Sequence, residues 1–236
     1  MDPDPKPELK AALLQAALAH VPFEGWSEAT FRAACTDIAA DPGPARAVFP
    51  RGAVDMALGY HAQGDAAMLA RLQAEDLSAL RFRNRIAAAV RFRLEAVSDR
   101  EAVRRGTTLF ALPQHAADGA KAIWGTADLI WTALGDRSDD INWYSKRAIL
   151  SAVYGSTVLF WLGDDSSGHA ATWEFLDRRI ENVMQFEQFK AAVNRNPVLK
   201  GLLTGPSWLL GRVKAPSQSH RDGLPGYLPG SRARPN

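Results

Sequence analysis

Apolar residues recur along this chain at spacings of three and four, punctuated by proline and glycine, and no convincing run of alternating apolar and polar positions lies between turn signals. The pattern predicts helices nearly throughout. A first spans Pro7 to His20 and stops before Val21-Pro22, because the residue ahead of a proline is pushed out of helical geometry. Ser27 is placed to cap a second, with Phe31, Ala34 and Ile38 at helical spacing. Asp41-Pro42-Gly43-Pro44 breaks the chain before a short third helix, Ala45 to Val48. A fourth starts after Pro50 and runs to about Gln73, offering Val54, Leu58, Tyr60, Met68 and Leu69 for packing. A fifth covers Asp76 to Val97 with Leu80, Phe82, Ile86, Val90, Phe92 and Leu94. Ser98 and Glu101 form a capping-box pattern for a sixth, which ends before Pro113. A seventh reaches Leu134, its face marked by Ile123, Trp124, Ala127, Ile130, Trp131 and Leu134, and Gly135 ends it. A ninth runs from about Gly168 to Arg195 with Trp173, Leu176 and Ile180 on its apolar side.

The eighth helix lies in "DDINWYSKRAILSAVYGSTVLFWLGDDS", residues 139–166. Acidic loops bracket it, Trp143 and Tyr144 stand beside the basic pair Lys146 and Arg147, and Ala148 to Leu162 is apolar apart from small residues. That run is shorter than the roughly 18 apolar residues a membrane span needs. It also carries Ser151, Tyr154, Gly155, Ser156 and Thr157, so it reads as a buried helix. Whether it closes a packed core or one wall of an apolar pocket stays open on these residues alone.

From Pro197 the pattern changes. "PVLKGLLTGPSWLLGRVK" is apolar at 198, 199, 202 and 203, then at 208, 209, 210 and 213, on either side of a Gly205-Pro206 break. Lys200, Arg212 and Lys214 flank it, which favours a membrane surface over a core-packing tail, as one helix or two. Beyond Pro216 the chain is rich in Ser, Gly and Pro and is expected to be disordered. The chain thus divides into a flexible start (1–6), a helix-turn-helix-like part (7–73), a C-terminal bundle (74–195), an amphipathic piece (196–214) and a tail (215–236).

Composition narrows the classes. With 236 residues, 47% hydrophobic and 23% charged, one large soluble domain with tails is expected, and a formal charge of +2 points to no polyanion. The sole cysteine, Cys35, excludes an intramolecular disulfide and reads as a buried, inert thiol. The start, MDPDPKPELK, resembles neither a secretory signal nor a mitochondrial presequence. His20, His61, His115, His169 and His220 have no partner at ligand spacing, and no phosphate-cradling glycine loop is present. Asp164-Asp165-Ser166 reads as a solvated loop capping the ninth helix. Trp26 to Tyr60 has the layout of a helix-turn-helix, but its short second helix offers mainly Arg46, with Asp37 and Asp41 nearby. Reading DNA needs basic and amide side chains there, so retained architecture without DNA binding is expected.

The segments "HVPFEGWSEATFRAA", "FPRGAVDMALGYH", "LRFRNRIAAAVRFRLEAV" and, above all, "DDINWYSKRAILSAVYGSTVLFWLGDDSSGHAATWEFLDRRIENVM" resemble the coenzyme Q biosynthesis accessory proteins of the Coq-nine family in their bacterial form, over roughly His20 to Met184. The resemblance implies an all-α, TetR-family-like helical bundle with an N-terminal helix-turn-helix and a C-terminal amphipathic helix. It implies a protein that is not an enzyme, has no cofactor beyond a bound isoprenoid lipid or phospholipid, and presents a quinone intermediate to the di-iron hydroxylase of ubiquinone synthesis. Lipid would lie against Ile123, Trp124, Ile130, Trp131, Tyr154, Val158, Phe160 and Trp161, with Ala152, Gly155 and Ser156 leaving room. The hydroxylase would meet Trp143, Tyr144 and Arg147, with Trp143 exposed to solvent. A membrane would be gripped by Leu202, Leu203, Trp208, Leu209 and Leu210. A homodimer peripheral to the inner membrane, on the cytoplasmic side of a bacterium and without nucleic acid, completes the expectation. The alternative is a TetR-like transcription regulator with a hydrophobic effector pocket.

Overall fold

The computed structural model describes residues 6–138 and 141–195; the expected amphipathic piece, with Leu202, Leu203, Trp208, Leu209 and Leu210, and both tails lie outside them. Among the described residues there are nine α-helices and no strand. They are α1 (Lys6–Glu24), α2 (Glu28–Asp37), α3 (Pro42–Val48), α4 (Ala53–Ala74), α5 (Phe82–Glu95), α6 (Arg100–Phe110), α7 (Ala116–Ala133), α8 (Ile141–Leu162) and α9 (Ala170–Arg195), with a single 3-10 turn at Ser167–His169. None is long and apolar enough to cross a membrane.

Two compact units form. One takes the chain up to Ala70 together with Phe92–Ala122; the other takes Arg71–Arg91 and the chain from Ile123 onward. A single cut near residue 73 is what the linear pattern suggested, whereas the units are discontinuous, with boundaries inside α4, α5 and α7.

In the first unit α1 buries Leu13, Leu14, Ala17 and Val21, a stripe at helical spacing. Trp26, Phe31, Ala34, Phe49, Met56 and Ala102 complete this core. The Trp26 indole donates to the Ala102 carbonyl at 2.9 Å, so its one polar atom is satisfied. Cys35 is buried there, and desolvation pushes its thiol up. Arg93 and Asp65 pair at 2.6 Å in a buried position, with Arg93 also donating to the His61 carbonyl at 2.9 Å.

Four boundaries differ from expectation, each for a local reason. Pro22 lies inside α1, and the turn after it holds because the Gly25 N–H bonds the Val21 carbonyl at 2.8 Å while Arg105 donates to the Pro22 carbonyl at 2.6 Å. Gly25 then ends the helix at φ +65°, a conformation that favours glycine. Pro42 opens α3 instead of preceding it, since the first helical position needs no N–H; Asp41 caps it by accepting from Gly43. α5 starts at Phe82, not Asp76, because Asp76 accepts from the Ser78 N–H at 2.9 Å and Arg85 donates to the Ser78 and Leu80 carbonyls, which holds these groups in a turn. The cap of α6 is Asp99 rather than Ser98: its carboxylate accepts from Glu101 at 2.8 Å and Ala102 at 3.1 Å. Ser27 caps α2 as the sequence indicates, and Gly135, at φ +82°, ends α7.

Candidate functional site

In the second unit α8 carries Trp143, Arg147, Leu150, Tyr154 and Trp161 along one stripe, and all five are buried. Arg147 belongs to that stripe although its charge would place it outside. Its side chain is 1% exposed, and its guanidinium donates to Asp128, to Asp136 at 3.0 Å and to the Trp143 carbonyl at 3.1 Å. The guanidinium also lies 4.0 Å from the Trp143 ring centroid. A buried cation is tolerated only with such compensation, and here two carboxylates and an aromatic face provide it.

This arrangement corrects the expectation for Trp143. It is 2% exposed, packed edge-on to Tyr144 at 4.8 Å and tilted against Trp124 at 6.1 Å. The guanidinium lies over the indole face, a cation–π contact that is stronger in a desolvated interior than at a wet surface. Of the expected partner-facing residues, Trp143 and Arg147 lie inside; Tyr144 is half-buried, and the neighbouring Asn142 is exposed.

A second layer of contacts lies beside this one. Lys146 donates to Asp136 at 2.8 Å and to Ser138 at 2.6 Å, and its ammonium is 5.2 Å from the Trp131 ring centroid. The Trp131 indole returns a bond to the Lys146 carbonyl at 3.1 Å. Burial pushes the Asp136 carboxyl up, but hydrogen bonds from Lys146, Arg147 and Ser138 together outweigh it and hold the pKa at about 2. An open cleft of about 500 Å³ lies here, with Phe82, Trp131 and Leu134 as its apolar wall and Asp136, Ser138 and Lys146 at its polar end. Gly135 and Arg137 complete the rim.

Of the eight residues expected to line a lipid channel, Trp131 alone borders this cleft. Ile130, Tyr154 and Trp161 are buried, and Ile123, Trp124 and Val158 are half-buried. Phe160 is 37% exposed and stacks on Phe175 at 4.4 Å, so it is turned partly to solvent. At Gly155 an added Cβ would meet Ile123 at 3.7 Å, so the missing side chain is matched by close packing and not by open space at that point. The linear pattern counts Phe82 among the apolar positions of a longer helix from Asp76 to Val97 and does not single out Asp136 or Ser138. Their pairing with Lys146 depends on how the turn at 134–138 lies against α8, which spacing along the chain does not record.

Asp164 does cap α9, but from a buried position. It accepts from the Ser166 N–H at 2.8 Å, the Thr172 N–H at 2.9 Å and the Thr172 hydroxyl at 2.6 Å, and these bonds hold its carboxyl well below the usual carboxylate range. In the first unit, α2 and α3 form the helix-turn-helix. Arg46, the base that α3 offers, is drawn back into the protein: it donates to Glu28 and lies 4.2 Å from the Phe31 ring centroid.

Helix order and geometry together define an all-α protein of TetR-like architecture. A TetR transcriptional regulator from Nitrosomonas europaea is similar in structure, with a TM-score of 0.60 and 17% identity over 74% of this chain and 97% of that one. A family model described as COQ9 matches residues 116–187 of this chain. The chain is 32% identical to the mitochondrial ubiquinone biosynthesis protein COQ9 of Drosophila melanogaster over 76% of this chain and 56% of that protein. Identity is 29% to the probable ubiquinone biosynthesis protein coq9 of Dictyostelium discoideum, over 78% of this chain and 62% of the relative. It is 25% to the human COQ9 protein, over 78% and 60% respectively. The chain therefore spans about 60% of the length of such relatives.

Proposed function

We propose that this protein is a non-enzymatic accessory factor of ubiquinone biosynthesis. It holds an isoprenoid quinone intermediate, or a phospholipid in its place, and presents it at a membrane surface to a di-iron hydroxylase. The observation that carries this reading is where the family match falls: residues 116–187 cover α7, α8 and most of α9, and not the helix-turn-helix. The lipid chemistry follows from solubility. Each buried CH₂ is worth roughly 0.8 kcal/mol, so a polyprenyl chain strongly favours any sheltered apolar site over water. Half-buried and exposed apolar residues on the matched helices, Trp124, Val158, Leu159 and Phe160, support such contacts.

Within this reading the protein acts as a homodimer peripheral to the inner membrane of a bacterium, on the cytoplasmic side. The hydroxylase contacts Tyr144 and Asn142 directly, while Trp143 and Arg147 hold the start of α8 in place from beneath. Segment 197–214 supplies the membrane contact. Native extraction with mass spectrometry tests the reading: isoprenoid or phospholipid is expected to travel with the purified protein. Repeated recovery of lipid-free protein that takes up no added quinone would overturn it.

The second reading, a transcription regulator, is favoured by the TetR-like fold alone. It requires salt-dependent duplex binding with sequence preference. The engagement of Arg46 by Glu28 and Phe31 weighs against it. A gel-shift screen with DNA near its own gene separates the two.

A further inference from the structure

We propose that the cleft beside α7 and α8 is the seat for the oxygen-bearing ring of the ligand, a quinone or phenol, with Phe82 and Trp131 as its wall and the Lys146 ammonium as the donor to a ring oxygen. This assignment rests on the quinone reading above and gives it a location. The cleft holds about 500 Å³, within the usual range for small-molecule sites and more than a single ring occupies, so the start of a side chain also fits.

Its two ends differ in chemistry. Phe82 is 43% exposed, and it meets Trp131 at 5.5 Å between centroids with a 34° tilt. A planar apolar body gains contact area against this wall. At the other end Lys146 spends two of its three N–H donors on Asp136 and Ser138, and its side chain remains 36% exposed. The third donor serves a carbonyl or hydroxyl oxygen of a ring lying against Trp131. Asp136, paired with Lys146 and Arg147, lowers the cost of keeping the ammonium in place and leaves the donor directed and not mobile. A fully apolar ligand would leave this end unmatched, whereas a ring with an oxygen substituent satisfies both ends at once.

The test uses the full-length protein and duroquinone (tetramethyl-1,4-benzoquinone), which has no isoprenoid tail and no open ring carbon for addition to a thiol. Binding is followed by ligand-observed NMR in the wild type, Phe82→Ala, Lys146→Met and a control, Lys121→Met, which removes an exposed charge on α7 away from the cleft lining. The wild type and the control are expected to bind alike, and the other two variants to weaken about fivefold or more. Phe82 is exposed enough that its truncation spares the core, so Phe82→Ala decides the matter even if Lys146→Met melts early. No binding by the wild type, or equal binding by Phe82→Ala, overturns the seat. Recovery of tailed quinone or phospholipid in the extraction experiment would leave the carrier reading standing, so the two failures are told apart.

Discussion

At the scale of single residues the unit containing α8 is organised by one buried cation. Arg147 ties Asp128, Asp136 and the Trp143 carbonyl together, and its flat face covers the Trp143 ring. Trp143→Ala therefore removes a core side chain and uncovers the guanidinium. The expected cost is about 3–5 kcal/mol, read as a clear fall in melting temperature, with any loss of hydroxylase capture following the unfolded fraction. An unchanged melting temperature with lost capture would instead identify Trp143 as a surface anchor. Asp136 links this centre to pH. Its folded pKa of about 2 lies below the ordinary 3.8, so its contribution is complete above about pH 4 and is lost as pH falls toward 2. The shift corresponds to about 2 kcal/mol. Asp136→Asn should lose this amount at neutral pH and show a flatter acid limb between pH 4 and 2 in urea titrations.

At the scale of helices two substitutions separate competing effects. Asp99 accepts from the first N–H groups of α6, while Ser98 lies one position too early. Asp99→Ala is expected to cost about 1 kcal/mol and Ser98→Ala a few tenths at most, measured by chemical denaturation. Gly64 sits mid-helix in α4, where alanine would normally gain about 1 kcal/mol in helix propensity. An added Cβ there would lie 2.3 Å from the Arg93 guanidinium, which is buried on Asp65. Displacing one member of a buried ion pair costs about 3–5 kcal/mol, so Gly64→Ala should destabilise despite its propensity. A stabilised Gly64→Ala protein would show that Arg93 can move without losing Asp65.

At the scale of the whole molecule the prediction concerns residues 197–214. An isolated segment this short is marginal as a helix in water and must borrow stability from a surface. If that surface is a bilayer, Lys200, Arg212 and Lys214 each add about 1 kcal/mol on an anionic leaflet, with the gain falling at high salt. A protein ending at Arg195 should keep its helical circular dichroism and lose flotation with anionic liposomes. Equal flotation of the truncated and full-length proteins would remove this segment from the membrane contact.

The all-helical class, the caps at Ser27 and Gly135, the burial of Cys35 and the resemblance to COQ9 were legible along the chain, because each rests on local spacing or on motifs read in order. Periodicity reports which residues share a face and says little about which face a charge can join. Arg147 therefore read as a polar entrance, although its spacing from Trp143 and Leu150 already placed it on the buried stripe. Only the fold supplies Asp128 and Asp136 to compensate it, from a neighbouring helix and the turn that follows. The same cause places Trp143, whose ring the guanidinium covers, in the interior and not at the surface. The cost of burying a polar group depends on partners distant in sequence, and those partners are chosen by tertiary structure.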